Sequence, residues 1–169
     1  MKTKSTLLLT LLFSTLLILT ACPYQSAVPI SEPNQKLNKK LMGKWIKESD
    51  DTAENPEYFE IKPIDKYKFN IVKYEYQSND STYKETTYLT HITKIDGNTF
   101  LNMQENGEGD YFLYKIDLQG DKFVLYEITD NIDEKFNTSE ELYDFVKKNM
   151  NLSFFYNKDE VTYVRDNEK

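Results

Sequence analysis

Only a few side chains in this 169-residue chain have the chemistry to act as nucleophiles, bases or metal ligands. There is one Cys (Cys22), one His (His91), one Trp (Trp45) and one Arg (Arg165). With a single thiol there is no disulfide and no cysteine zinc cluster. A histidine-dependent triad or metal site would have to gather partners around His91 from elsewhere in the fold. His91 shares a strand face with Leu89 in a Thr-rich run, and reads as a core or surface histidine whose protonation tunes binding rather than as a catalyst. Carboxylates are abundant at Asp50-Asp51 and in residues 105–110 and 130–134. Such groups can hold Ca²⁺, yet none has EF-hand spacing, so they read as solvated loop charge and no metal site is assigned. A carboxylate pair for glycoside hydrolysis is defined by a separation in space, which the sequence does not give. No glycine-rich phosphate loop, basic stripe or nucleophile elbow is present, and no cofactor or catalytic residue is assigned.

Cys22 differs from the rest because of what precedes it. Lys2 and Lys4 lead into an uncharged, leucine-rich run over residues 5–19, followed by Thr20 and Ala21. That order is a charged n-region, an apolar h-region and a small-residue cleavage site. The run is too short for a helix that must cross about 30 Å of hydrocarbon with about 20 residues. Leu19-Thr20-Ala21-Cys22 resembles the lipobox of bacterial lipoproteins. The resemblance implies cleavage between Ala21 and Cys22 and a diacylglycerol thioether on Cys22, with palmitate-like chains confining the protein to the cell envelope. Two or more acyl chains hold a protein stably where one holds it only reversibly. Pro23 stands where the inner-membrane retention signal of enteric bacteria has Asp, so by resemblance to that rule the outer membrane is favoured where two membranes exist.

Loss of residues 1–21 removes Lys2 and Lys4 and no acid, which moves the net charge from −7 to −9 and leaves 148 residues, the size of one domain. The acidic balance argues against nucleic acid as a partner. Thirteen Tyr, ten Phe and many β-branched residues suit pleated strands.

The elements that must position these groups follow from periodicity. Residues 22–36 hold the lipidated terminus and an extended tether, with Pro23, Pro29 and Pro33 and no periodicity. Residues 37–169 form the folded domain, opened by a helical turn over residues 36–42. Alternation then predicts strands over residues 44–48, 58–62, 67–76, 82–95, 99–105, 111–118, 122–128, 152–156 and 160–165. Asp96-Gly97-Asn98, residues 106–109 and Gln119-Gly120-Asp121 supply turns. One helix interrupts them: Thr138 and Glu141 form a capping box, and Leu142, Phe145, Val146 and Met150 make an apolar stripe that covers a barrel mouth or a sheet face. The expected fold is therefore mainly β: an antiparallel up-and-down barrel of about eight or nine strands with one helix in its C-terminal half.

Gly43-Lys44-Trp45, after a short helical turn at the head of a β-meander, looks like the G-x-W signature of lipocalins and their calycin relatives. In those folds the Trp plugs one end of the barrel and a late Arg lies over the indole, a role the resemblance gives to Arg165. Animal lipocalins place that Arg before the helix, whereas Arg165 follows it, and Asp110-Tyr111 only partly echoes their middle motif. A final-strand Arg looks more like fatty-acid-binding proteins or bacterial lipocalin-like lipoproteins, although no second Arg is present to clamp a fatty-acid carboxylate. The resemblance implies a non-enzymatic, membrane-anchored protein that holds a small apolar or amphipathic ligand. The alternative is a filled barrel serving as a structural or protein-interaction module of the envelope.

Overall fold

The computed structural model describes residues 24–129, 131–158 and 160–166. The expected leader, its expected cleavage point and Cys22 lie outside the described residues. Among the described residues nine strands and one α-helix follow in order: β1 (Gln25–Ser26), β2 (Gly43–Lys47), β3 (Tyr58–Pro63), β4 (Lys68–Gln77), β5 (Thr82–Ile95), β6 (Asn98–Glu105), β7 (Tyr111–Gln119), β8 (Lys122–Glu127), α1 (Ser139–Asn149) and β9 (Val161–Arg165). From β2 to β9 every strand pairs antiparallel with its chain neighbour, and β9 returns to β2, so eight strands close an up-and-down barrel. Closure leaves no edge strand in the ring, and only the tip of the β4–β5 hairpin, residues 75–87, runs beyond its outer neighbours. The sequence reading of a mainly β, closed antiparallel barrel with one helix matches this architecture.

Turn chemistry fixes the register. Ile95 lies opposite Asn98, and the two residues between them, Asp96 and Gly97, have φ of 46° and 88°. Positive φ at both central positions makes the type I′ turn whose twist matches the flanking strands.

The barrel wall is buried on both faces along β6, where Leu101 and Met103 point inward and Phe100 and Asn102 outward. Inside, Trp45, Phe69, Ile71, Ile92, Ile116 and Phe123 fill one half of the lumen. Outside, Ile95, Phe100, Leu113 and Ile128 form a second core that α1 covers with Leu142, Val146 and Met150. The helix thus covers a sheet face rather than a barrel mouth. It starts where Thr138 accepts from the Glu141 N–H and the Glu141 carboxylate accepts from the Thr138 N–H. That reciprocal pair satisfies two of the donors orphaned at a helix start.

Two expectations need correction. Residues 152–156 are not a strand: Ser153–Phe155 is a 3₁₀ turn, and only Tyr156 bridges to the barrel, opposite Ile128. Phe155 is the member of this apolar run that enters the outer core, and a turn rather than a ladder delivers it there. Residues 24–31, expected as free tether, instead form a strap bound to the barrel. β1 extends β7 beyond the end of β8, with Ser26 opposite Tyr111 and Gln25 opposite Phe112, and Ile30 is fully buried. Prolines and polar residues hid this, because the strap is fastened by scattered single contacts with no period.

Candidate functional site: the open half of the barrel

Trp45 closes one end. It is fully buried, its Nε1 donates to the Leu41 carbonyl at 2.8 Å, and the 3₁₀ turn Lys39–Leu41 with Leu37 lies across it. The Arg165 guanidinium sits 4.2 Å from the centre of the Trp45 ring. Its Nη1 donates to the Met42 carbonyl at 2.9 Å, Nη2 donates to the Lys40 carbonyl, and Nε donates to Asp121 at 3.2 Å. Gly43, with φ of 110°, lets the chain pass beneath this group, since an added Cβ would lie 3.2 Å from Arg165 Nη1. The structure therefore brings Gly43, Trp45 and Arg165 into one cluster, a plug that seals the barrel with the arginine as its clamp.

From the plug a column of rings runs into the lumen. Phe123 meets the Trp45 edge at 4.8 Å, Tyr163 stacks on Phe123 at 5.0 Å, and Phe59 stacks on Tyr163 at 4.5 Å. Beyond Phe59 the packing stops. A cavity of about 350 Å³ occupies the other half of the barrel. That is room for about a dozen waters at ~30 Å³ each, and it lies near the lower end of the size range of small-molecule sites.

The polarity of this cavity comes from strand phase. On β2, β4 and β8, and in the residues leading into β3, the inward-facing series is apolar beside the plug and ends in a charge at the far end, whereas β9 runs from Tyr163 to Val161 and β7 from Tyr114 to Phe112. Trp45 is followed two residues on by Lys47, Ile71 by Lys73 and Leu125 by Glu127, while Phe59 is preceded by Glu57. Apolar side chains, chiefly Phe59, Met103 and Leu125, form the floor, and Tyr88, Phe112 and Val161 continue the wall.

Glu57 is the hub of the polar half. It accepts from the Tyr163 hydroxyl at 3.2 Å and lies 3.7 Å from both Lys47 Nζ and Lys73 Nζ. Glu127 accepts from the Tyr114 hydroxyl at 3.3 Å and from the Asn157 amide. Burial, reinforced by these carboxylates, pushes the Tyr114 and Tyr163 hydroxyls far above the usual phenol range, so both are donors at any physiological pH. Burial pulls Lys73 down, but its hydrogen bond to Glu75 at 2.9 Å and the charge of Glu57 outweigh that pull and leave it raised and protonated. The charges lining the cavity are two lysines and two glutamates, which cancel.

His91 faces the other way. Its ring lies on the outer side of β5, where Nε2 is 2.7 Å from the Ser31 carbonyl, the Tyr111 ring is 6.2 Å away, and Asn102 next to it accepts from the Ile30 N–H at 2.7 Å. Burial lowers its pKa below 6.5, against the opposing effects of the Ser31 carbonyl and Glu32. It is a fastening of the strap and does not touch the cavity. Among the described residues no three His, Cys, Asp or Glu side chains converge as a metal site does, and no helix is long and apolar enough to cross a membrane. Sequence reasoning named no cavity residue; the signal it passed over is the switch from apolar to charged along the inward series of β2, β4 and β8 and from Phe59 back to Glu57. No protein-family model, no curated protein and no solved structure matches this chain.

Proposed function

We propose that this is a lipid-anchored protein of the bacterial cell envelope whose lipocalin-like barrel binds a small amphipathic ligand. The half-open lumen carries this reading: about 350 Å³ with an aromatic floor and a ring of phenols, lysines and glutamates at its open end. A ligand's apolar part fits against Phe59, Met103 and Leu125, and its head reaches Tyr114, Tyr163 and the Glu57 cluster. Because the four lining charges cancel, a neutral or zwitterionic head is favoured over a strongly anionic one. The volume favours a small molecule over a multi-chain lipid. The lipobox-like Leu19-Thr20-Ala21-Cys22 supports export and acylation at Cys22, and Pro23 supports an outer-membrane destination where there are two membranes. The reading is of binding rather than catalysis, supported by the position of the one imidazole on the opposite face of the wall from the cavity.

The second reading is a structural or protein-interaction module. Its support is the aromatic column that fills the lumen from Trp45 to Phe59.

Titration of the unlipidated mature chain with N-phenyl-1-naphthylamine, an uncharged apolar fluorophore, separates the two. The cavity reading expects saturable one-to-one enhancement that Val161→Trp, which puts an indole where a valine lines the cavity, weakens at least fivefold with an unchanged melting temperature. An absence of saturable binding, or full binding by Val161→Trp, would refute it.

A further inference from the structure

Acylated lipoproteins are commonly pictured as domains swinging on a tether, and the composition of residues 23–35 fits that picture. The fold does not. Tyr24, two residues after Cys22, is 8 % exposed; its N–H donates to the Ile128 carbonyl at 3.4 Å and its hydroxyl to the Glu134 carbonyl at 3.2 Å. From there β1 is hydrogen-bonded to β7, and the strap stays on the barrel as far as Ser31. Two residues reach at most about 7 Å, whereas a free coil of 13 residues would average about 20 Å. Acyl chains on Cys22 are therefore joined within about 7 Å to one fixed spot on the barrel.

That spot adjoins an exposed apolar protrusion. Ile128 has Tyr24 on one side and bridges to Tyr156 on the other, and Thr129 N–H donates to the Phe155 carbonyl at 3.1 Å. Strand spacing of about 4.8 Å puts Tyr24 and Tyr156 about 10 Å apart across Ile128. Phe155 is buried in the same outer core as Tyr24, while Phe154 next to it and Leu152, which opens the same 3₁₀ turn, are 73 % and 38 % exposed. The only other large exposed apolar side chain among the described residues is Ile64, in the turn between β3 and β4, on the opposite side of the eight-strand ring and at the plug end. Phe154 is thus held out to solvent by a buried partner on the side from which the anchor leaves.

We propose that Phe154 and Leu152 are a membrane-docking element: they enter the outer part of the bilayer that holds the acyl chains and fix the barrel with its α1 and Ile128 side down and its Ile64 side away. The proposal rests on acylation of Cys22. Aromatic and aliphatic side chains at the water–lipid boundary bury apolar surface without a bound partner protein. Glu127, a wall residue of the cavity, directly precedes Ile128, so the docked orientation also brings the polar end of the lumen close to the source of an amphipathic ligand.

The test uses the full chain purified from bacteria in its processed form and reconstituted into phosphatidylcholine vesicles with brominated chains. Mass spectrometry of the N-terminal peptide is read first, and a Cys22 without fatty acid removes both the anchor and the docking. With acylation in hand, Phe154→Trp and Ile64→Trp are compared after subtraction of the buried Trp45 signal. Docking predicts that bromolipid quenches Phe154→Trp at least threefold more than Ile64→Trp and shifts its emission to the blue. Equal quenching of the two, or none of either, overturns the docked orientation while leaving the anchor intact; in that case Phe154 is free for a protein partner.

Discussion

Arg165→Ala is the most informative single change, because the clamp on Trp45 has three separable parts. Stacking over the indole at 4.2 Å contributes about 0.5–2 kcal/mol. Hydrogen bonds to the Met42 and Lys40 carbonyls contribute about 0.5–1.5 kcal/mol each after exchange with water. The pair with Asp121, whose side chain is 73 % exposed, contributes close to nothing. Together these give a loss of about 1.5–5 kcal/mol, or a fall in Tm of about 3–20 °C for a domain of this size. Arg165→Lys keeps a cation near the ring but loses the planar fork that reaches two carbonyls at once, so about half of the loss should persist. Urea unfolding followed by fluorescence of Trp45, the only tryptophan, reads both variants without added probes. An unfolding free energy for Arg165→Ala within about 0.5 kcal/mol of wild type, at unchanged m, would refute the clamp. Full rescue by Lys would show that charge alone, and not the fork, holds the plug.

Other expectations follow from the same geometry. Asn102 is fully buried and holds both the strap, through the Ile30 N–H, and Thr93 at 3.0 Å; Asn102→Ala should cost about 1–3 kcal/mol and raise hydrogen exchange in residues 24–31 well above that of β4 and β5. Because burial depresses His91 in the folded state, the neutral ring is the form that favours the fold. Its stabilisation is complete above pH 6.5 and is lost as pH falls below that value, so exchange in the strap should rise on acidification, and His91→Gln should flatten the profile. Cys22→Ala should accumulate as an unprocessed or mislocalised precursor in fractionated cells; normal maturation would remove acylation from the account.

Strand positions were legible because the inward faces alternate over many residues, as with Phe69 and Ile71 on β4 or Leu101 and Met103 on β6. The type I′ turn at Asp96-Gly97 and the capping box at Thr138 were legible for the same reason: a local rule requires those residues there. The conjunction of Gly43, Trp45 and Arg165 could be suspected from three residues, but their meeting depends on β9 pairing with β2 across 120 residues of chain, which only closure of the barrel brings about. The strap escaped notice because β1 is two residues long and Ile30 is held by one side-chain amide. The apolar pair Phe154-Phe155 read as a strand because period alone does not distinguish a ladder from a turn that buries one ring and exposes the next. The cavity is the hardest case. Tyr114 and Tyr163 lie in phase with core residues and would serve equally well as packing; only the space left between strands shows that their hydroxyls, with Glu57 and Glu127, end in a lumen.

Whether the open half of the barrel holds a ligand is read by native mass spectrometry of the unlipidated mature chain, isolated without denaturant and then extracted with organic solvent. A ligand site yields a population heavier than the polypeptide by one small amphipathic molecule, recovered in the extract and diminished in Val161→Trp. A single species at the polypeptide mass, unchanged when cell extract is added back, would contradict it.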